Sequence, residues 1–347
     1  MICKRNNLKG DDDMKEKPTL LLNETAVKDL LNMRDYIEIV NKVYKGLDDG
    51  TITNPPKLTL DLGETGGYPH YDGFVNAMPA YIGWQDMGGL KWVGGFTGER
   101  KKANLPFITG LIILIDPHLG TFLCAMDGTH ITNVRTGAQT ATALRYLVDK
   151  PSITVGIYGA GVQARMNIEA IAEVFSISEL TVWNHRRVTA ESFAEDMKDV
   201  IKGEIHIVEE PERASKADVI VTVTTAQEPI VKAEWITPGT IVFPLGSFQE
   251  IEDELILKAD NIVVDHEEQA LHRGALKKLN EEGKVDETNI TTTLGKLANK
   301  RASLDNLENE ITICIPIGMG SVDIAVATEA YNRALEQGYD TTFDFKA

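Results

Sequence analysis

The sequence contains only three cysteines in 347 residues, and none of them forms a Cys-x-x-Cys pair. Cys3, Cys124 and Cys314 are far apart and odd in number, which argues against both a disulfide framework and a zinc site. A reduced cytoplasm suits this usage best. Cys124 and Cys314 are predicted to be small, buried hydrophobic residues.

Several familiar motifs are also missing. There is no P-loop and no Gly-x-Ser-x-Gly motif, and His266-Glu267-Glu268 lacks the second histidine of a zinc protease, so no metal site is predicted. No apolar run approaches the roughly 18 residues that a membrane span needs. The first twenty residues lack the apolar core of a signal peptide, and we interpret residues 1–20 as a disordered tail.

Positive charge is scarce. The formal net charge is −17, which argues against a nucleic acid or an anionic membrane as a non-specific partner. Hydrophobic residues make up 43% and charged residues 25% of the chain, as in ordinary soluble proteins. The length allows two domains with cores of their own.

The first part of the chain alternates a helical segment with short strand-like runs. The helical pattern covers residues 23–47. The strand-like runs are Leu58–Leu62, Phe74–Tyr81, Gly89–Phe96, Thr109–Asp116 and Thr121–Met126. Several strands with few helices between them predict a largely antiparallel sheet.

After a predicted helix over residues 136–147, the pattern changes to alternating strands and helices. Six strands are predicted: Ile153–Tyr158, Leu180–Asn184, Glu204–Val208, Val219–Thr224, Thr240–Pro244 and Asn261–Val264. Six is the number in a complete doubly wound nucleotide domain. The run Ile311–Ile317 and a helix from Val322 to Gln337 are predicted to return to the first domain.

The predicted fold class is therefore α/β. A Rossmann domain with a doubly wound parallel sheet is assigned to residues 139–315. Residues 21–138 and 316–347 are assigned to a discontinuous α+β domain for substrate binding and dimerisation.

A glycine-rich segment, Gly159-Ala160-Gly161-Val162-Gln163-Ala164, lies between the strand-like run Ile153–Tyr158 and a helix-like run from Met166 to Phe175. Strand, glycine turn and helix in this order are the context of a dinucleotide-binding fingerprint. Gly159 would make the tight turn, and Gly161 would let the backbone approach the pyrophosphate. The first N–H groups of the helix would face the phosphates. The competing interpretation is a plain tight turn.

The second strand of this domain ends in Trp183-Asn184-His185-Arg186-Arg187. A site that prefers NAD usually has an acidic residue here, which binds the ribose 2′-hydroxyl. Asn184 would not repel a 2′-phosphate, and an arginine could hold that phosphate with two hydrogen bonds. NADP(H) is therefore favoured, with NAD(H) as the alternative. If the pattern is not functional, both arginines are solvated surface charges.

Two further basic residues are candidates for binding an anion. Arg135 and Thr136 are predicted at the start of a helix, where a guanidinium and unpaired N–H groups would together attract an anion. For Arg135 alone, ligand contact and a structural salt bridge are equally good interpretations. Lys91 lies in an apolar strand on the face opposite Leu90 and Trp92. By itself this pattern favours a surface lysine over a catalytic one.

Together, several segments resemble the ornithine cyclodeaminase/mu-crystallin family. They run in order over nearly the whole chain: Asn54-Pro55-Pro56-Lys57, Met78-Pro79-Ala80-Tyr81, Lys91-Trp92-Val93, Met126-Asp127-Gly128, Arg135-Thr136-Gly137-Ala138, the glycine fingerprint and Gly318-Met319. Members of this family are NAD(P)-dependent homodimers. They include ornithine cyclodeaminases, alanine dehydrogenases of the archaeal type and ketimine reductases.

The resemblance implies roles for particular residues. Lys91 would lie beside the substrate carboxylate and the reacting carbon, Arg135 would clamp that carboxylate, and Asp323 matches an acid on the last helix. The substrate-binding set is Lys57, Met78, Lys91, Arg135 and Gly318. The cofactor-binding set is Arg135, Thr136, Ala138, Gly159, Gly161, Val162, Gln163, Asn184, His185, Arg186, Arg187, Thr222, Thr224, Gly246 and Met319.

Several positions depart from the family pattern, and they bear on which of the family's reactions this chain can catalyse. Lys57 stands where an arginine is usual, and Asn76 stands where cyclodeaminases have a glutamate. Phe248 aligns with their catalytic aspartate, and a phenyl ring can neither take a proton nor hold an ammonium group. Unless Glu250 substitutes for it, ornithine deamination lacks its acid/base group.

Three functions follow in order of preference. The first is an NAD(P)H-dependent oxidoreductase that acts on the C=N/CH–NH bond of a small imino or amino acid. The second is ornithine cyclodeamination, which recycles NAD and releases ammonia. The third is a non-catalytic, crystallin-like protein that binds NADP(H) or another small molecule. A homodimer is expected in each case.

Overall fold

The structure, a computed structural model, describes residues 18–63, 66–246 and 248–345, apart from the side chain of Lys101. Most of the tail predicted over residues 1–20 lies outside this part of the chain. The predicted end of the tail at residue 20 is wrong, because Thr19 and Leu20 are buried and begin a strand. This strand lies parallel to the later strand Phe122–Asp127.

The elements follow one another in three groups. The first group is β1 (Thr19–Leu22), α1 (Glu24–Leu30), α2 (Met33–Asp48), β2 (Ile52–Thr53), β3 (Leu58–Asp61), β4 (Gly73–Ile82), β5 (Met87–Phe96), α3 (Gly98–Lys102), β6 (Ile108–Ile115), β7 (Phe122–Asp127) and α4 (Thr129–Leu147). The second is β8 (Ser152–Tyr158), α5 (Val162–Ala172), β9 (Ser176–Trp183), α6 (Arg187–Met197), β10 (Glu204–Val208), α7 (Pro211–Ala214), β11 (Val219–Thr222), β12 (Ile241–Pro244), α8 (Asp253–Lys258), β13 (Asn261–Val264), α9 (Glu267–Leu271), α10 (Lys277–Glu281), β14 (Thr292–Thr293), α11 (Leu294–Ala298) and β15 (Thr312–Ile315). The last is α12 (Gly320–Glu336) and β16 (Thr342–Phe343).

The first sheet has the order β16-β1-β7-β6-β5-β4-β2, with β3 beside β4. Its pairs are antiparallel except for β1 with β7, so the prediction of a largely antiparallel sheet is confirmed. Helix α12 packs against β4, β5 and β6, and α2 and α4 pack on α12. One face of this sheet is thereby covered by helices.

The single helix predicted over residues 23–47 is in fact two helices. α1 ends at Leu30, and Asn32 caps α2. The Asn32 side chain accepts a hydrogen bond from the Asp35 N–H (3.1 Å), and the Asp35 carboxylate accepts one from the Asn32 N–H (3.0 Å). This reciprocal cap satisfies two backbone donors that a helix start would otherwise leave unpaired. The Asn-x-x-Asp spacing was the signal for the break.

The second sheet is parallel throughout and has the order β10-β9-β8-β11-β12-β15-β13-β14. The first six positions form the doubly wound arrangement of a Rossmann domain, so the predicted fold class is confirmed. Its strands read as continuous apolar runs because they are buried on both faces; all four residues of β11 and of β12 are buried.

Two details of this sheet differ from the prediction. The sixth position belongs to β15, not to Asn261–Val264, and the sheet continues through β13 and β14 to eight strands. The run around β15 therefore does not return to the first domain. Crossover connections let a late strand insert between earlier ones, and apolar patterning alone does not reveal that order.

Helices α4 and α5 pack closely because Gly137 has no side chain. A Cβ atom at this position would lie 2.1 Å from the Met166 carbonyl oxygen on α5. This contact holds the helix that bears Arg135 against the helix that follows the glycine fingerprint.

Two expectations from composition can also be checked. Cys124 and Cys314 are fully buried free cysteines, which confirms their predicted role, whereas Cys3 lies outside the described residues. Within the described part of the chain, no helix is both long enough and apolar enough to cross a membrane.

Candidate active site

Helix α4 begins earlier than predicted. It starts at Thr129, so Arg135 and Thr136 lie in its second turn and not at its N-terminus. The Thr136 hydroxyl donates to the Thr132 carbonyl oxygen (2.9 Å), one turn back along the same helix. The prediction that N–H groups of a helix start attract an anion here is wrong.

A buried charge cluster joins three elements at the centre of the molecule. Lys91 on β5 points inward beside Met78 of β4, and its Nζ lies 2.5 Å from Asp323 Oδ2 on α12. The other carboxylate oxygen of Asp323 accepts a hydrogen bond from Arg135 Nε on α4 (3.2 Å). One carboxylate therefore holds both cations of the predicted catalytic pair.

The interpretation of Lys91 as a surface lysine is wrong. Its side chain and that of Asp323 are both 0% exposed, while the neighbouring Trp92 points outward and is 57% exposed. Burial lowers the pKa of Lys91 to about 8, and Asp323 opposes this shift. The pKa of Lys91 therefore lies below the ordinary value for lysine.

A second set of contacts fixes Arg135. Its Nη1 donates to Gln139 Oε1 (2.7 Å), and Gln139 Nε2 donates to Asp265 Oδ2 (3.4 Å). Asp265 is buried at the end of β13 and accepts the Gly318 N–H (3.0 Å). Burial raises the pKa of the Asp265 carboxyl group, although backbone donors oppose the rise.

Gly318 is required by this packing. Its φ of +78° lies in the left-handed region, and a Cβ atom there would lie 2.4 Å from Arg135 Nη1. Lys57 Nζ donates to the carbonyl oxygens of Ile317 (3.1 Å) and Gly318 (3.0 Å). The loop between β15 and α12 thus lies against Lys57 and Arg135. Burial, together with nearby Arg273 and Arg135, lowers the pKa of Lys57.

These side chains border a cavity of about 300 Å³ between the two sheets. Eight of the predicted site residues line it: Lys57, Met78, Lys91, Arg135, Thr136, Gln163, Thr224 and Gly246. Gln163 Nε2 donates to Asn133 Oδ1 (3.0 Å). Met319 and Ala138 are fully buried nearby, so any contact they make with a ligand must come through the backbone or through packing.

The loop after β12 contains Phe248 and Glu250, the two residues that bear on ornithine cyclodeamination. Phe248 lines the cavity, as expected from its alignment with the cyclodeaminase aspartate. Glu250 is fully buried and accepts hydrogen bonds from the Thr222 hydroxyl, the Thr224 N–H and hydroxyl, and the Gly246 N–H, all at 2.6–2.7 Å. Its carboxylate holds this loop together, and Glu250 is not among the residues that line the cavity.

The glycine fingerprint has the conformation that the sequence predicts. Gly159 has a φ of +104°, and a Cβ atom there would lie 2.8 Å from the Val223 carbonyl oxygen. Gly161 precedes α5, has open space beside its Cα and provides no side-chain cap. Val162 is 55% exposed at the first turn of α5. The unpaired N–H groups of this eleven-residue helix therefore face open space.

The segment after β9 lies at the surface. The Asn184 side chain donates to the Arg186 carbonyl oxygen (2.9 Å), and His185 is exposed beside them. Arg187 forms ion pairs with Glu191 and Glu209, both at 3.0 Å. Arg186 makes no ion pair with another residue that the structure describes. Arg186 is therefore the arginine of this segment whose charge no described residue compensates.

Asp265 and Gln139 are site residues that sequence reasoning missed. Asp265 directly follows the buried strand β13, and an acid at the carboxyl end of a parallel strand was the available signal. Gln139 lies four residues after Arg135 on the same helix, which is hydrogen-bonding distance on one helix face. Across the described residues, no group of three or more His, Cys, Asp or Glu side chains is arranged to hold a metal ion.

Comparison with known proteins places this geometry in a family. The model of the ornithine cyclodeaminase/mu-crystallin family matches residues 17–338. The chain belongs to the ornithine cyclodeaminase/mu-crystallin family. It is 33% identical over 331 residues to alanine dehydrogenase of Archaeoglobus fulgidus, an alignment that covers 94% of this chain and 98% of that protein.

Two solved structures share the whole fold. Delta(1)-pyrroline-2-carboxylate reductase of Thermococcus litoralis, in complex with NADH and L-proline, is 32% identical with a TM-score of 0.86, covering 93% of this chain and 100% of that one. An archaeal alanine dehydrogenase dimer with bound NAD is 32% identical with a TM-score of 0.87, covering 95% and 100%. The relatives are oxidoreductases of imino and amino acids, which confirms the predicted enzyme class.

The Asp323 carboxylate can be tested by its effect on stability. Asp323→Asn would leave Lys91 and Arg135 buried without their acid, and we expect it to lower the free energy of unfolding by about 3–5 kcal/mol. Adding Lys91→Met should recover part of that loss, because it removes one stranded charge. Urea unfolding of both variants measures the coupling.

Glu329→Gln provides the matched control, since Glu329 lies on the same helix and pairs with Arg333 near the surface. Glu329→Gln should lower the free energy of unfolding by about 1 kcal/mol or less. Equal losses for Asp323→Asn and Glu329→Gln would contradict the importance of the buried pair.

Proposed function

We propose that this chain is an NAD(P)H-dependent reductase of a small imino acid, which works in reverse as an amino-acid dehydrogenase. The convergence of three cations on one cavity carries this proposal. Lys57, Lys91 and Arg135 come from separate elements, whereas two carboxylates, Asp323 and Asp265, compensate them. The surplus positive charge suits a substrate carboxylate.

Arg135 and Lys57 are the groups that would hold this carboxylate. The Arg135 guanidinium is oriented by Asp323 and Gln139 and is 11% exposed, toward the cavity. Lys57 is fixed by two carbonyl oxygens of the β15–α12 loop. Because both side chains are already held in place, little conformational entropy is lost when the substrate binds.

The residues around the glycine fingerprint fit a dinucleotide. Gly159 allows the tight turn and Gly161 leaves open space beside it, and α5 would direct its first N–H groups to the place where a pyrophosphate would lie. Thr136, Gln163 and Thr224 line the cavity between this turn and Lys91. When bound, the nicotinamide exchanges a hydride with the substrate carbon.

Lys91 is the proposed proton donor to the substrate nitrogen in the reductive direction. It lines the cavity, is shielded from water and has a pKa lowered to about 8 by burial. In the oxidative direction its neutral form would take the proton back. Asp323 holds the ammonium group in place, and Thr132 Oγ1 lies 3.4 Å from Nζ.

Ornithine cyclodeamination receives less support. Phe248 lines the cavity where an acid would be needed, and the Glu250 carboxylate is engaged by four donors in the loop. A purely binding role would not require a buried lysine with a pKa close to neutral. Both alternatives remain outcomes of the experiment below.

The proposed function can be tested with a substrate panel. NADPH and NADH would each be incubated with cyclic imino acids, and with 2-oxo acids plus ammonium, while nicotinamide absorbance is followed. We expect turnover by the wild-type chain. Lys91→Met should lower kcat at least 100-fold, because the proton donor is lost, with an unchanged Kd for the cofactor.

Lys258→Met, on the exposed helix α8, serves as the control and should keep full activity. Ammonia and proline formed from ornithine with NAD⁺, without net reduction of the cofactor, would instead establish a cyclodeaminase. Tight cofactor binding with no turnover on any substrate would favour a binding protein.

For the cofactor, we propose a preference for NADP(H) over NAD(H). Arg186 at the start of α6 is exposed and lacks an acidic partner among the described residues, and Asn184 puts no negative charge beside it. A 2′-phosphate would supply the missing anion. The solved relatives named above contain NADH and NAD, so the preference rests on this segment alone.

Arg186→Glu should reverse the preference, with a fall of at least tenfold in the ratio of kcat/KM for NADPH to that for NADH. Arg187→Gln should change the ratio much less, since Glu191 and Glu209 already compensate Arg187. A wild-type chain that prefers NADH would contradict this assignment.

We propose that residues 21–138 and 316–347 also form a dimer interface. Leu58, Ala77, Trp92 and Leu111 pair across four neighbouring strands and share the sheet face opposite Lys91. Leu58, Trp92 and Leu111 are 48–73% exposed. An apolar row of this kind marks an association surface, and the archaeal alanine dehydrogenase was solved as a dimer.

Trp92→Asp should turn the dimer into a monomer, because it places a charge at the centre of this apolar row. Light scattering after size-exclusion chromatography measures the mass. Leu257→Asp, on an exposed position of α8, should leave the dimer intact. A wild-type chain that is monomeric at micromolar concentration would contradict the proposed interface.

A further inference from the structure

A second cavity adjoins the first and shares part of its lining. It has a volume of about 520 Å³, and the two cavities share Lys57, Asn76, Leu245 and Ile317 among their lining residues. A molecule held by Lys57 and Arg135 can therefore extend past Asn76 into the second cavity. The proposed reaction at Lys91 makes no use of this space.

The charged residues that line the second cavity are mainly basic. Lys57, Arg273 and Lys277 contribute three positive charges, and Asp61 contributes the one negative charge. Asp61 Oδ1 accepts the Gly63 N–H (2.9 Å), and Lys277 has Glu281 at 3.8 Å. Arg273 is half-buried and forms no ion pair with another residue that the structure describes. Lys57 likewise forms no ion pair with a described residue, so positive charge exceeds negative charge in this cavity.

Hydrogen bonds between the two sheets position Arg273. Its Nη2 donates to Thr59 Oγ1 on β3. Because a guanidinium can only donate, the Thr59 hydroxyl must direct its own proton to Asn76 Oδ1, at 2.7 Å. The Asn76 amide is thereby oriented with its oxygen occupied, so the group it can offer to a ligand is its NH₂. Asn76 and Arg273 therefore both offer hydrogen-bond donors where the two cavities meet, as the binding of an anion requires.

We propose that the second cavity binds a second carboxylate of the substrate, so that the enzyme acts on imino and amino dicarboxylic acids. Arg135 and Lys57 hold the α-carboxylate, and Arg273, with Asn76 at the passage, holds the carboxylate at the end of the side chain. This assignment rests on the proposed function for the α-carboxylate. It adds the substrate class, which the central charge cluster alone does not specify.

The test compares two substrates that differ in this carboxylate. Reduction of 2-oxoglutarate plus ammonium and of pyruvate plus ammonium would be measured, and the ratio of their kcat/KM values calculated. We expect the wild-type chain to favour the diacid. Arg273→Gln should lower the ratio at least 30-fold, mainly through KM, whereas Arg273→Lys should keep most of it because the charge remains. Arg213→Gln, which removes an exposed arginine on α7, should leave the ratio unchanged.

A binding measurement separates this proposal from the proposed function. Glutarate should raise the melting temperature of the wild-type chain more than butyrate does at equal ionic strength, and Arg273→Gln should abolish the difference. Equal ratios of kcat/KM for Arg273→Gln and Arg213→Gln would overturn the proposal. If no substrate is reduced at all, the proposed function fails, and the glutarate measurement alone decides whether the cavity recognises a dicarboxylate.

Discussion

The structure depends on one buried carboxylate that holds two cations. Asp323 lies on the last long helix, and its two oxygens contact Lys91 on the first sheet and Arg135 on the long helix α4. Burying these charges is costly, and removal of any one of them leaves the others uncompensated. The triad therefore ties α12 to β5 and to α4. It also leaves a lysine and a guanidinium facing the same cavity.

The two sheets contribute different parts of the site. The antiparallel sheet and its helices provide Lys91, Arg135 and Asp323, whereas the parallel sheet provides the glycine turn and the buried Asp265. Gly318 links them, since its N–H binds Asp265 and its missing side chain makes room for Arg135. The β15–α12 loop, which contains Gly318, connects the parallel sheet to α12. It thereby brings the proposed carboxylate-binding groups next to the glycine turn.

Local patterns in the sequence predicted much of this arrangement. The glycine turn and the parallel strands before and after it could be inferred, because each depends on neighbours in the chain. The roles expected for Lys91 and Arg135 came instead from the resemblance to the family. The burial of Lys91 could not be inferred, since it depends on Asp323 more than 200 residues later. The position of β15 within the parallel sheet was missed for a related reason, because strand order is a tertiary property. Glu250 was considered as an acid, and the structure instead gives it four donors within its own loop.

The charge state of Lys91 tests the central claim most directly. In protein labelled with ¹³C at lysine Cε, an NMR titration follows Lys91, assigned by its absence in Lys91→Met. The expected pKa is about 8, and Asp323→Asn should lower it further, because the partner that favours the charged form is gone. A pKa near the ordinary value for lysine, unchanged by Asp323→Asn, would show that Lys91 is neither buried nor paired as described.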